Sequence, residues 1–148
     1  NSYEAALAVM PQLAGFIPML TGTGGNCGSQ SSTLVIRGIA VEEIEFGDLF
    51  RVVWKEVRIA VCISLVLAVV NGIRILLMGQ GDVLMALTIG LTMACTVIIA
   101  KVVGCTLPLV AKKVGLDPAI MATPLISTLV DISTISVYFA IVSTVFQL

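Results

Sequence analysis

Apolar positions fall into four blocks along the chain, separated by short polar connections. The first block runs from about Ala5 to Ala40, the second from about Val52 to Met78, where GQGD supplies a turn, and the third from Val83 to about Ala111. The fourth opens at Asp117-Pro118, with proline in a helix-starting position, and continues to the end of the chain. Runs of this length and apolarity are read as membrane helices rather than strands. The pattern predicts an all-α membrane protein, an up-down transmembrane helical bundle with helices at approximately 4–40, 49–78, 83–113 and 118–147, within a single transmembrane domain spanning 1–148.

The first block does not fit one straight span. At ~1.5 Å rise per residue it exceeds the ~30 Å hydrocarbon core, so it must tilt, kink or break. Its centre reads LTGTGGNCGSQSSTL (residues 20–34), with four glycines, six hydroxyl residues and no charge. The first helix is therefore expected to be kinked or broken at this glycine-rich motif, exposing backbone oxygens to an aqueous path. Gly24-Gly25-Asn26-Cys27-Gly28 also has the GxxxG spacing that lets membrane helices pack closely.

Composition supports the membrane reading. The 148 residues are 58% hydrophobic and 11% charged, with a mean hydropathy of +1.11; soluble domains carry about a quarter charged residues. A net charge of −1 with no basic cluster gives no case for nucleic acid. The four cysteines (Cys27, Cys62, Cys95, Cys105) form no CxxC pair and there is no histidine, so zinc ligation and disulfide stapling are poor readings. No signal-like segment stands at Asn1, and the chain reads as a fragment of a longer protein.

Basic residues suggest an orientation. Arg37, Arg51, Lys55 and Arg58 flank the first connection, and Lys112 and Lys113 the third. The positive-inside rule puts those connections in the cytoplasm and both ends of the chain outside, with at least one earlier span. The acidic run VEEIEFGD (Val41 to Asp48) is expected to be a solvated connection on the cytoplasmic side. Lys101, about two-thirds along the third span, is expected to snorkel toward the membrane surface.

One charge has no such escape. Asp131 lies about thirteen residues into the last span, near mid-membrane. A carboxylate there costs at least ~2.5 kcal/mol, so it should face protein or water. Thr123, Ser127, Asp131, Thr134 and Tyr138 recur at helical spacing and predict a polar stripe. The opposite side (Ile126, Val130, Val137, Ile141) suits lipid or helix packing. Arg74 and Lys101 are the basic residues that could pair with Asp131, although neither shares its expected depth. Pro124 frees the carbonyl of Ile120, and Pro11 and Pro18 free carbonyls in the first span. The donors are all oxygen, which suits hard cations such as Mg²⁺ or Ca²⁺. One carboxylate is too little for a dehydrated ion, and two chains would bring two aspartates together around a largely hydrated one.

The segments PMLTGTGGNCGSQSSTLVIRGIA, WKEVRIAV and AKVVGCTLPLVAKKVGLDPAIMATPLISTLVD resemble the membrane domain of the MgtE family of magnesium channels and transporters, over almost the whole chain and in order. The resemblance implies a homodimer with a central cation pore and five membrane helices per subunit, of which this chain carries four. It also implies cytoplasmic N-terminal and CBS domains, not in this chain, that close the pore when magnesium is abundant. The family's pore aspartate falls on Asp131. Gly22, Asn26 and the backbone carbonyl of Ser127 match the other groups that hold its hydrated Mg²⁺, and Thr123 stands where some members carry asparagine. Gly25, Thr134 and Ile120 are further pore-lining candidates.

The expected function is a Mg²⁺-selective channel, not an enzyme, in the cell (inner) membrane with its C-terminus extracytoplasmic. Mn²⁺, Co²⁺ or Ca²⁺ could share the site, and a second copy of the chain and the bilayer are the expected partners. The rival is a proton- or sodium-coupled divalent-cation carrier in which Asp131 titrates. An intramembrane hydrolase is disfavoured, because Asp131 has no second carboxylate at its depth and no histidine is present.

Overall fold

The computed structural model describes residues 11–121 and 123–146. Four long helices account for most of them: α1 (Ile17–Ala40), α2 (Leu49–Leu77), α3 (Val83–Lys113) and α4 (Thr123–Phe146). No strand occurs among the described residues. Short 3-10 turns at Phe46–Asp48 and Pro118–Met121 precede α2 and α4. The helices run alternately up and down, with α3 packed against all three others. The part of the first predicted helix before Pro11 lies outside the described residues.

Among the described residues, three helical segments are long and apolar enough to cross a membrane: Phe46–Leu77, Val83–Lys113 and Thr123–Phe146. Exposed aliphatic residues are frequent on them, as at Val61, Leu65, Val66 and Val69 on α2. Helix α1 has 24 residues, enough at ~1.5 Å each to reach across the hydrocarbon. It differs in being rich in glycine and hydroxyl groups.

The glycine-rich motif is helical throughout, which corrects the expected break there. The interruption lies upstream. A helical turn over residues 11–14 ends at Gly15 and Phe16, where the Phe16 amide reaches back to the Leu13 carbonyl at 3.1 Å. Pro18 then occupies the first turn of α1, where its missing N–H costs nothing, so it frees no carbonyl inside the helix. Pro124 likewise stands in the first turn of α4, and Ile120 belongs to the preceding 3-10 turn rather than to the same helix.

Glycine disfavours an isolated helix by about 1 kcal/mol per residue. Here tertiary contact outweighs that cost. A Cβ on Gly24 would lie 2.7 Å from Thr96 Cγ2 and 2.8 Å from Val130 Cγ1, and one on Gly28 would lie 2.9 Å from Ile126 Cγ2. A Cβ on Gly104 of α3 would collide with the carbonyl oxygen of Gly28. The two glycines of the GxxxG spacing thus seat α1 against α3 and α4 at once.

A buried ion pair pins the same contact from the other side. Lys101 Nζ of α3 lies 3.1 Å from Glu56 Oε2 of α2 and 3.1 Å from Ser31 Oγ of α1. The Ser31 hydroxyl donates to the same carboxylate oxygen. Lys101 is only 2% exposed, so it does not snorkel. The carboxylate on the neighbouring helix holds its ammonium inside, and three helices are joined by one charged cluster.

At the far end, the acidic connection is solvated as expected at Glu42, Glu43 and Glu45. Ile44 and Phe46 of the connection are partly buried, whereas Val41 is exposed. Ile44 packs on Gly38, and Lys113 lies over the Phe46 ring at 4.0 Å from its centroid.

Removing one member of the ion pair should be costly. Lys101→Met leaves Glu56 buried without a counter-charge and should lower stability by about 3–5 kcal/mol. Adding Glu56→Leu should recover most of the loss. Thermal unfolding of the detergent-purified variants measures both; equal stability of the single variant and the wild type would contradict the pairing.

Candidate ion site

On α4 the inward positions are Ile126, Val130, Thr134, Tyr138 and Val142, spaced by four. This divides the predicted polar stripe. Thr134 and Tyr138 belong to the packed side, where the Tyr138 hydroxyl donates to the Leu13 carbonyl at 2.7 Å. Ile126 and Val130 also pack inward, onto the α1 glycines, rather than toward lipid. Small positions on α1 select the packed side of α4, and hydrophobicity along α4 alone cannot show this.

Asp131 and Ser127 remain on the flank of that contact, both half-buried. They meet α1 at Gly25. A Cβ built there would stand 3.4 Å from Ser127 Oγ and 3.9 Å from Asp131 Oδ1. Glycine keeps the space between the carboxylate and the α1 backbone free of a side chain. Asp131 forms no ion pair among the described residues: Lys101 is held by Glu56, and Arg74 lies against Met19 and Phe16. Its charge is left to whatever occupies the adjoining space.

That space borders a polar strip on α1. Gly22, Asn26, Ser29 and Thr33 recur at four, three and four residues and so share one side of the helix. Gly22, Asn26 and Thr33 are exposed on the single chain, and nothing lies within 4 Å of a Cβ built at Gly22. The Ser29 hydroxyl is shielded from solvent and has no hydrogen-bond partner. Polar groups at membrane depth need water or protein against them, so this side of α1 cannot rest on acyl chains. Ser29 and Thr33 are additions to the predicted site. Their period with Gly22 and Asn26 was available in the sequence.

The remaining candidates divide. Thr123 is exposed at the start of α4, one turn beyond Ser127. Ile120 is 59% exposed in the 3-10 turn. Thr134 is buried with its hydroxyl unpartnered, and its oxygen would lie 3.2 Å from a Cβ on Gly24. It lines the α1–α4 contact rather than the side that carries Asp131.

Among the described residues no group of three or more His, Cys, Asp or Glu side chains could cage a metal ion. The side-chain oxygens on this side of α1 and α4 are the Asp131 carboxylate, the Ser127 and Thr33 hydroxyls and the Asn26 carboxamide, while the α1 carbonyls are held in an unbroken helix. Such a set can orient a cation that keeps its water, since Mg²⁺ sheds that water reluctantly.

Fold and site together define a multi-span helical membrane protein with an unpaired acid set beside a polar helix. The chain belongs to the MgtE family, whose model, described as a divalent cation transporter, matches residues 17–141. It is similar to the magnesium transporter MgtE of Thermus thermophilus, with 33% identity over 145 residues covering 95% of this chain and 31% of that protein. The Bacillus subtilis magnesium transporter MgtE is 36% identical over 139 residues, covering 94% of this chain and 31% of the relative. The protein of the same name in Enterococcus faecalis is 32% identical over 146 residues, covering 97% and 31%. The chain thus spans about a third of the length of these relatives.

Cysteine labelling tests the wet strip. In a background with the four native cysteines replaced by alanine, Asn26→Cys and Thr33→Cys should react in membranes with a charged, water-soluble thiol reagent. Ile132→Cys, which is 60% exposed on α4 with Leu129 and Ile135 one turn to either side, should not react. Protection of both α1 positions, with labelling at 132, would place the strip against lipid.

Proposed function

We propose that this chain forms the ion-conducting part of a Mg²⁺-selective channel, which passes largely hydrated magnesium down its electrochemical gradient. The observation that carries the proposal is the unpaired Asp131 carboxylate beside side-chain-free Gly25, at the edge of the polar α1 strip. The magnesium-transporter names of the relatives supply the ion.

In this reading the pore lies on the axis of a homodimer. A second copy placed against the α1 strip would enclose the water that its polar groups require, and would bring two Asp131 carboxylates to one ion. Asp131 attracts and orients the hydrated cation. Gly22 and Asn26 line the passage with backbone and carboxamide oxygens, and Ser127 sets its width from the α4 side. Each carboxylate acts through the ion's water shell, so divalent charge is favoured without the cost of dehydration. The basic end of the bundle, with Arg37, Arg51, Lys55, Arg58, Lys112 and Lys113, faces the cytoplasm, and the C-terminus lies on the opposite side.

The electrostatic share can be sized. Two unit charges ~4 Å apart attract by about 1 kcal/mol in water, so a divalent ion gains about 2 kcal/mol from each carboxylate. Asp131→Asn should therefore lower Mg²⁺ occupancy roughly 30-fold for each carboxylate lost, and weaken the preference for divalent over monovalent ions. Asp131→Ala should abolish uptake. Mg²⁺ flux into proteoliposomes, and growth of a magnesium-uptake-deficient host, measure both; wild-type flux and growth with Asp131→Ala would reject the site.

A further inference from the structure

Arg74, like Asp131, has no opposite charge paired with it among the described residues. Arg74 lies in the last turn of α2, at the end remote from the clustered lysines and arginines. Its guanidinium stands over the Phe16 ring, 5.9 Å from the centroid, and donates to the Met19 sulfur at 3.5 Å. Neither contact neutralises it, since an aromatic ring and a thioether are weak partners for a full positive charge. Its Nε is closed off from solvent with no hydrogen-bond acceptor, and no carboxylate among the described residues pairs with it.

The guanidinium borders a cavity of about 340 Å³, lined also by Gln12, Gly15, Phe16, Met19 and Gln80. Gly15 and Phe16, where the first segment is interrupted, line this space. The cavity thus holds one fixed positive charge and two carboxamides. It lies beside the last turn of α2, one of the helices long and apolar enough to cross a membrane.

We propose that this cavity is a seat for a phosphate-type oxyanion, held by Arg74 with the carboxamides of Gln12 and Gln80 as additional donors. A planar guanidinium binds phosphate oxygens with charge-assisted hydrogen bonds and is the side chain best matched to them. The anion is either the phosphate of a lipid headgroup or free phosphate; the chemistry at Arg74 is the same. The seat is separate from the Asp131 site and does not depend on the ion that passes there.

Thermal unfolding of the purified chain, in magnesium-free buffer, tests the seat. The probes are inorganic phosphate added to detergent micelles, and nanodiscs of phosphatidylglycerol compared with phosphatidylcholine. Binding to the folded state alone raises Tm, and a rise of several degrees is expected with at least one probe. Arg74→Gln should remove that rise, whereas Arg58→Gln, at the opposite end of the bundle, should keep it. Gln80→Glu supplies a carboxylate in place of the anion, and should both raise the Tm of the anion-free chain and abolish its response; it decides the matter if Arg74→Gln does not fold. A response to inorganic phosphate assigns a free anion, and a response to phosphatidylglycerol alone assigns a headgroup. No rise with either probe, or an equal rise in the wild type, Arg74→Gln and Gln80→Glu, overturns the proposal.

Discussion

The carbonyl oxygen of Gly28 occupies the place where residue 104 would otherwise carry its side chain. This backbone-to-backbone approach of α1 and α3 is the constraint on which the rest depends. It brings α1 close enough for Gly24 and Gly28 to accept Val130 and Ile126 from α4 in the same plane of the bundle. Once those contacts are made, the rotation of α4 is set and Asp131 must fall beside Gly25. The polar strip of α1 then lies on the side away from α3. Close packing and the exposed polar side are two consequences of one seam of glycines.

The Lys101–Glu56–Ser31 cluster fixes what glycine packing leaves free. Glycine contacts tolerate sliding along the helix axis, because dispersion is nearly indifferent to small shifts. A buried charge pair is not indifferent, since moving either partner away exposes an uncompensated charge to a low dielectric. The cluster therefore sets the register of α1, α2 and α3, one turn beyond Gly28. It also occupies Lys101, one of the two cations considered as partners of Asp131.

Much of this was legible in the sequence. Apolar runs mark out α2 and α3, whereas α1 starts only at Ile17 and α4 at Thr123, each after an interruption that an apolar run does not reveal. Asp131 stands out because a lone acid at that depth has few physical excuses. Membership of the family was carried by several long motifs in order. Glycine, taken alone, disfavours helix, so from sequence the glycine-rich segment reads as a break. The partner surfaces that restore the helix, Thr96, Val130 and Gly104, lie 72, 106 and 80 residues away from Gly24, beyond any local pattern. The burial of Lys101 escapes local pattern for a similar reason, since its partner Glu56 sits on a different helix, 45 residues earlier. Thr134 and Tyr138 share a helical stripe with Asp131, yet the packing of α4 on α1 takes them inward and leaves the acid at the edge.

The account rests on a cation standing beside Asp131 on the polar side of α1. Anomalous scattering from crystals of the full chain soaked in Mn²⁺, a spectroscopically visible substitute for Mg²⁺, locates that ion directly. A peak at water-mediated distance from the Asp131 carboxylate, in the space bounded by Gly22, Gly25 and Asn26, is the predicted result. An Asp131 side chain surrounded by lipid, with the Mn²⁺ peaks elsewhere on the chain, would contradict it.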